Sequence, residues 1–168
     1  FMSRKEKWKD FYEKIFLFQL SSGPSLAATL IQEILVRDVD GVIFMINLTP
    51  GTLQGNEKAL RLFCQTYSKF HSLPLPNLPL HFCYNFADSF SEKLSRLSSM
   101  PGEILLPYKD SDGQIKTRPS WKQEEQYIQN LNQKLNPFSF PYSITSASLL
   151  FGLEESFERL LEEFQKKK

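Results

Sequence analysis

Apolar residues along the chain fall into two kinds of run. Short unbroken runs occur at Ile15-Phe16-Leu17-Phe18 and Val42-Ile43-Phe44-Met45-Ile46, and Leu80-His81-Phe82-Cys83-Tyr84 reads as a third strand. Unbroken runs suit strands that are covered on both faces. Between them the period changes to that of a helix. Leu26, Leu30, Ile31, Ile34 and Leu35 share one helical face, as do Leu60, Phe63, Cys64, Tyr67 and Phe70. Breakers separate the runs: Ser21-Ser22-Gly23-Pro24, Asp38 to Gly41, Thr49-Pro50-Gly51, and Pro74, Pro76 and Pro79. Residues 3–14 interleave charges with Trp8, Phe11 and Tyr12 and read as a short helix or the end of a polar strand.

The rhythm fails over residues 97–119, which hold Pro101-Gly102, Pro107, Asp110 to Gly113 and Pro119. An insertion or long loop is expected there. A helix over 120–135 follows, with Trp121, Ile128, Leu131 and Leu135 inward, then a last strand over 138–144. Leu153, Phe157, Leu160, Leu161 and Phe164 define an amphipathic closing helix. Strands alternating with helices imply βαβ units. The expected fold class is therefore α/β, in three layers, with a mostly parallel sheet and helices on both faces.

Composition narrows this picture. A chain of 168 residues, 41% hydrophobic, suits a single domain over 1–168 with its own core. Lys plus Arg 20 against Asp plus Glu 19 leaves a net charge of +1, without the basic footprint of a nucleic-acid binder. Cys64 and Cys83 cannot form a disulfide framework, which points to a reducing, cytoplasmic setting. No run of about 18 apolar residues is present, so no integral membrane segment is expected. The first residues carry acidic side chains and lack a hydrophobic signal region.

Candidate chemistry is sparse. His71 and His81 have no second ligand at metal spacing, and Cys64 and Cys83 read as buried small hydrophobes. A phosphate-cradling Gly-x-x-x-x-Gly-Lys-Ser/Thr loop is absent from a chain with seven glycines. Ser21-Ser22-Gly23-Pro24-Ser25 has one glycine and no lysine, and its proline removes an amide donor. A flavodoxin-like enzyme would place its ligand near residues 21–25 and 49–52, where no acid–base pair stands.

The informative stretch is Thr145-Ser146-Ala147-Ser148-Leu149-Leu150-Phe151-Gly152-Leu153-Glu154-Glu155-Ser156-Phe157. It resembles the last guanine-contacting loop and closing helix of Ras-superfamily small GTPases, which read Thr/Cys-Ser-Ala-Lys, four residues, then aliphatic-Glu-x-x-Phe. Upstream, Asn85-Phe86-Ala87-Asp88 resembles the family's Asn-Lys-x-Asp at the end of the preceding strand. Leu20-Ser21-Ser22-Gly23-Pro24 stands where the family has Asp-x-x-Gly-Gln, and Asp40-Gly41 opens the next strand as it does there. A competing alignment makes residues 21–25 a decayed phosphate loop. It deletes both switches and two strands.

The resemblance implies guanine contacts from Asn85, Asp88, Ser146 and Ala147. The departures imply what is lost. Leu20 cannot hold Mg²⁺, Pro24 cannot orient an attacking water, and Phe86 and Ser148 replace the two lysines. Only 14 residues precede Ile15, whereas the family's phosphate-binding half needs about 50. The expectation is a catalytically inactive pseudo-GTPase that acts as a protein–protein interaction or scaffold module, with partners at an exposed sheet edge or aromatic surface. GDP or GTP would bind weakly or not at all, and Mg²⁺ only if a missing segment supplies its ligands. The second expectation is a guanine-nucleotide-binding small GTPase whose phosphate loop lies outside this chain. Independently of ancestry, Asn85, Asp88 and Ser146 also suit helix caps.

Overall fold

The computed structural model describes residues 33–72, 74–85 and 101–166, and the elements below all lie in the compact unit Val36–Lys168. The expected strand over 15–18 lies outside the described residues. Of the expected helix after Ser25, residues 33–37 are described, and they are helical.

Strand β1 (Val42–Asn47) leads through helix α1 (Leu53–Phe70) and a 3-10 turn (Leu75–Asn77) to strand β2 (Leu80–Asn85). Strands β3 (Pro101–Lys109) and β4 (Ile115–Trp121) precede helix α2 (Lys122–Leu135), strand β5 (Tyr142–Ile144) and helix α3 (Leu153–Lys166). β1, β2 and β5 form a parallel sheet with β2 in the middle, Phe44 opposite Phe82 and Phe82 opposite Tyr142. The fold is mixed α/β, a small parallel sheet with helices packed against it.

The pleat of β2 decides what each helix meets, because successive side chains point to opposite faces. Leu80, Phe82 and Tyr84 join the main core with Ile46, Phe63 and Tyr67, and with Ile128, Leu131 and Leu135 of α2. Aromatic rings knit that face together. Phe44 lies 5.7 Å from Phe82 and 6.0 Å from Phe63 of α1, and the Tyr84 hydroxyl donates to Asn132 of α2 at 2.7 Å. Each such buried ring contributes about 2–3 kcal/mol by area alone. His81 and Cys83 occupy the other face, where α3 packs.

The start of β1 needs a bare backbone. A Cβ on Gly41 would sit 2.5 Å from Cζ of Phe164, so the glycine lets α3 close over the strand. α1 begins after Gly51, whose φ of +91° favours glycine. It ends at His71, whose ring stacks on Tyr67 at 4.2 Å.

Of the expected insertion or long loop over 97–119, residues 101–119 are described, and they are not a loop. β3 and β4 form an antiparallel hairpin, a second sheet of its own, closed by the Asp110–Gln114 turn. Asp110 Oδ1 accepts the amides of Asp112 and Gln114, and Lys116 holds its carboxyl below the usual range. Prolines 101, 107 and 119 hide the strand pattern, yet they pair within it, and Leu106 reaches the core. The last strand is also shorter than expected. The Asn136 carboxamide binds both the amide and the carbonyl of Phe140, and Ser139 takes a φ of +54°, so residues 138–140 turn.

Two buried carboxylates clamp the hairpin to α2. Glu125 accepts the amides of Glu103 and Ile104, which holds its pKa down. Glu124 accepts the Trp121 amide at 2.6 Å and both terminal nitrogens of Arg118 at 2.7 and 3.0 Å. Gly102 permits this approach, since a Cβ there would lie 2.5 Å from Ser120 Oγ and 2.7 Å from Glu125 Cδ. Removing one partner of such a pair strands a charge away from water. Arg118→Ala is expected to cost about 3 kcal/mol in urea unfolding at neutral pH, and Arg118→Ala with Glu124→Gln distinctly less. A loss below about 0.5 kcal/mol in the single variant contradicts the clamp.

Candidate functional site

The carboxyl ends of β1, β2 and β5 lie side by side, because the three strands are parallel and in register. Ligands of open α/β sheets bind at such an edge. Asn85 ends β2 and is buried. Its Oδ1 accepts the Ala147 amide at 2.9 Å and faces Thr145 Oγ1 at 3.5 Å, and its backbone carbonyl accepts the Leu48 amide at 3.0 Å. One residue therefore ties the ends of all three strands together. The donor Ala147 N–H fixes the orientation of the carboxamide, so Nδ2 points away from Ala147.

The loop after β5 is closed on itself. Ser146 and Phe151 exchange backbone hydrogen bonds at 3.1 and 2.9 Å. The buried Ser146 hydroxyl lies 3.0 Å from Ser148 Oγ and accepts the Leu149 amide at 3.3 Å. It organises this loop and not the first turn of α3, where Ser156 donates back to Gly152. Gly152 has a φ of +71°, and a Cβ there would lie 2.5 Å from the Ile144 carbonyl oxygen. Leu150 takes a φ of +53° and is 79% exposed at the loop's tip.

The β1 end is stitched in a similar way. Asn56 of α1 accepts the Asn47 amide at 3.1 Å and donates to the Asn47 carbonyl at 2.9 Å. Asn47 Oδ1 takes the Thr49 amide, and the Thr52 hydroxyl lies 2.8 and 2.7 Å from the Asn47 and Thr49 carbonyls. The donors of Thr49 and Thr52 are thus turned inward, and Pro50 has none. They do not form the outward ring of amides that a phosphate requires.

Of the residues expected at the site, Asn85, Ser146 and Ala147 come together, and Asp88 lies outside the described residues. Asn47 and Asn56 were not expected, and Thr145 and Thr52 stood in the sequence reading without a role at this site. The signal for Asn47, Thr52 and Thr145 is an Asn or Thr placed where an apolar strand stops, which also describes an ordinary turn, whereas Asn56 lies on α1. No group of three or more His, Cys, Asp and Glu side chains among the described residues is placed to hold a metal ion. No helix among them is long and apolar enough to cross a membrane. No protein-family model matches the chain, and no curated protein matches it.

Asn85→Ala removes the acceptor and leaves the buried Thr145 hydroxyl and the Ala147 amide without a partner. A loss of about 2 kcal/mol in unfolding free energy is expected, with faster hydrogen exchange at Ala147. Unchanged exchange there contradicts the tie.

Proposed function

We propose that this chain is a small-GTPase-like domain in three layers that has lost phosphate chemistry and works in the cytoplasm as a protein–protein interaction module. The observation that carries the reading is the engagement of Ala147. In the family it resembles, the corresponding amide reads the guanine edge, whereas here it is spent on Asn85 Oδ1 at 2.9 Å. The parallel β1–β2–β5 order supports the fold half of the reading. So does the packing of α1 and α2 on one side of β2 and α3 on the other.

Phosphoryl transfer needs a cradle of amides, a lysine and Mg²⁺ ligands. The sequence offers Leu20, Pro24, Phe86 and Ser148 at the positions that matter. GTP hydrolysis has no apparatus in this chain, and a bound Mg²⁺ would need ligands from elsewhere. Protein partners would meet β1, an edge of the small sheet among the described residues, or the aromatic surface around Phe138, which is 53% exposed. A weak guanine-nucleotide binder completed by a phosphate loop outside this chain is the second reading. It is favoured by the orientation of the Asn85 carboxamide, whose Nδ2 leads away from Ala147.

Nucleotide content separates the two. The purified protein is denatured, its supernatant is run on anion exchange, and the intact protein is titrated with fluorescent GDP and GTP with and without Mg²⁺. The interaction-module reading expects no co-purified nucleotide and no binding at about 100 μM. Stoichiometric guanine nucleotide, lost in Asp88→Ala, contradicts it.

A further inference from the structure

The two faces of β2 carry different chemistry. On the α1–α2 face every inward residue of β2 belongs to the main apolar core, and no residue of α3 does. On the α3 face stand His81 and Cys83, with Ser143 of β5 and Ser156 of α3. His81 is fully buried in the central strand. Its Nε2 lies 2.9 Å from Ser143 Oγ, and its Nδ1 has no hydrogen-bond partner among the described residues. Cys83, two residues on, lies on the same face beside Ser156. α3 packs on β2, with Leu160 and Leu161 buried and Phe164 against Gly41. It also brings Arg159, Glu155 and Glu163 within electrostatic reach of the ring, and among the described residues β1 and β5 bring no charged side chain to it.

We infer that α3 is an acid-released latch: when His81 gains a proton, α3 leaves the sheet by pivoting at Gly152, while the α1–α2 face stays folded. This inference concerns the docking of α3 alone and holds whether or not the domain binds nucleotide.

The chemistry is that of an imidazole with one satisfied nitrogen. A neutral ring needs one donor and one acceptor, and the Ser143 hydroxyl serves Nε2 in either tautomer. An imidazolium has two N–H donors and a charge. Nδ1–H would then face no acceptor, and the charge no water. Lifting α3 hydrates both. Burial, and then Arg159, hold the His81 pKa down to about 4 from 6.5, while Glu155 and Glu163 act the other way. Between those values the open form takes up a proton that the closed form does not. The closed form therefore loses stability as pH falls through that window, and the open population rises by up to about tenfold per pH unit. The pivot is defined by the chain. The paired residues Ser146 and Phe151 hold the loop on one side of Gly152, and Ala147 remains tied to Asn85. Gly152, at a φ of +71°, is the residue between that loop and α3.

Cys83 reports the opening directly, since it is buried under α3, and half-buried Cys64 on α1 is the internal control. The whole chain is reacted with 4,4′-dithiodipyridine from pH ~7.5 to ~4.5, each rate being divided by that of a small-thiol standard at the same pH. The corrected Cys83 rate is expected to rise about tenfold per unit between pH ~6 and ~5, with Cys64 and the near-ultraviolet circular dichroism unchanged. His81→Gln is expected to flatten the Cys83 response. Amide exchange in the unsubstituted chain gives a second readout: α3 amides accelerate with acid beyond their intrinsic chemistry and α2 amides do not. A flat corrected Cys83 rate overturns the latch. So does an acid response that survives in His81→Gln, or simultaneous opening of α2 and α3.

Discussion

Strand β2 is buried at all six of its positions, and that constraint organises the rest of the structure. A strand without a wet face must satisfy every polar group with protein and bury every side chain against something specific. Its backbone is satisfied by β1 on one side and β5 on the other. Its apolar side chains are met by rings from α1 and by α2, and its polar ones by Ser143 and α3. Its last residue, Asn85, has to find an acceptor's partner in the dark, and it finds the Ala147 amide. The closed loop at 146–151 follows from that bond. The hairpin in turn lies between β2 and α2 in sequence, and two buried glutamates hold it to the helix that returns the chain to β5.

Much of this arrangement was legible in the chain, for physical reasons. The run at Val42 and the helix carrying Phe63 and Tyr67 emerge as β1 and α1 because their burial is dictated by apolar periodicity. The amphipathic pattern of α3 was equally plain. The hairpin was not, because its strands are held by long-range pairing and by Glu124 and Glu125 rather than by alternation of their own. Prolines 101, 107 and 119 also look like breakers, although they sit where the pairing tolerates them. The late start of the strand expected over 138–144 depended on one side chain, Asn136, reaching round Phe140. Nothing in a local pattern announces that.

The site divides along the same line. Asn85, Ser146 and Ala147 were legible because they recur in a spaced motif, and they do come together. What the motif could not convey is the direction of the hydrogen bonds. The same three residues can present donors outward to a base or consume them inward, and the choice depends on which atoms of Asn85 and Ala147 meet. Here they meet each other. The stitching of Asn47, Thr49, Thr52 and Asn56 belongs to the same economy, in which polar groups at the strand ends are turned onto the protein itself.

The central claim is that the Ala147 amide is already occupied. The amide signal of Ala147 in a ¹⁵N correlation spectrum, followed while GDP is added in excess, tests it most directly. The account predicts that the signal stays where it is, with the slow exchange of a hydrogen-bonded amide. A saturable downfield shift, with the Asn85 carboxamide signals moving in step, would contradict it and place a nucleobase where Asn85 now stands.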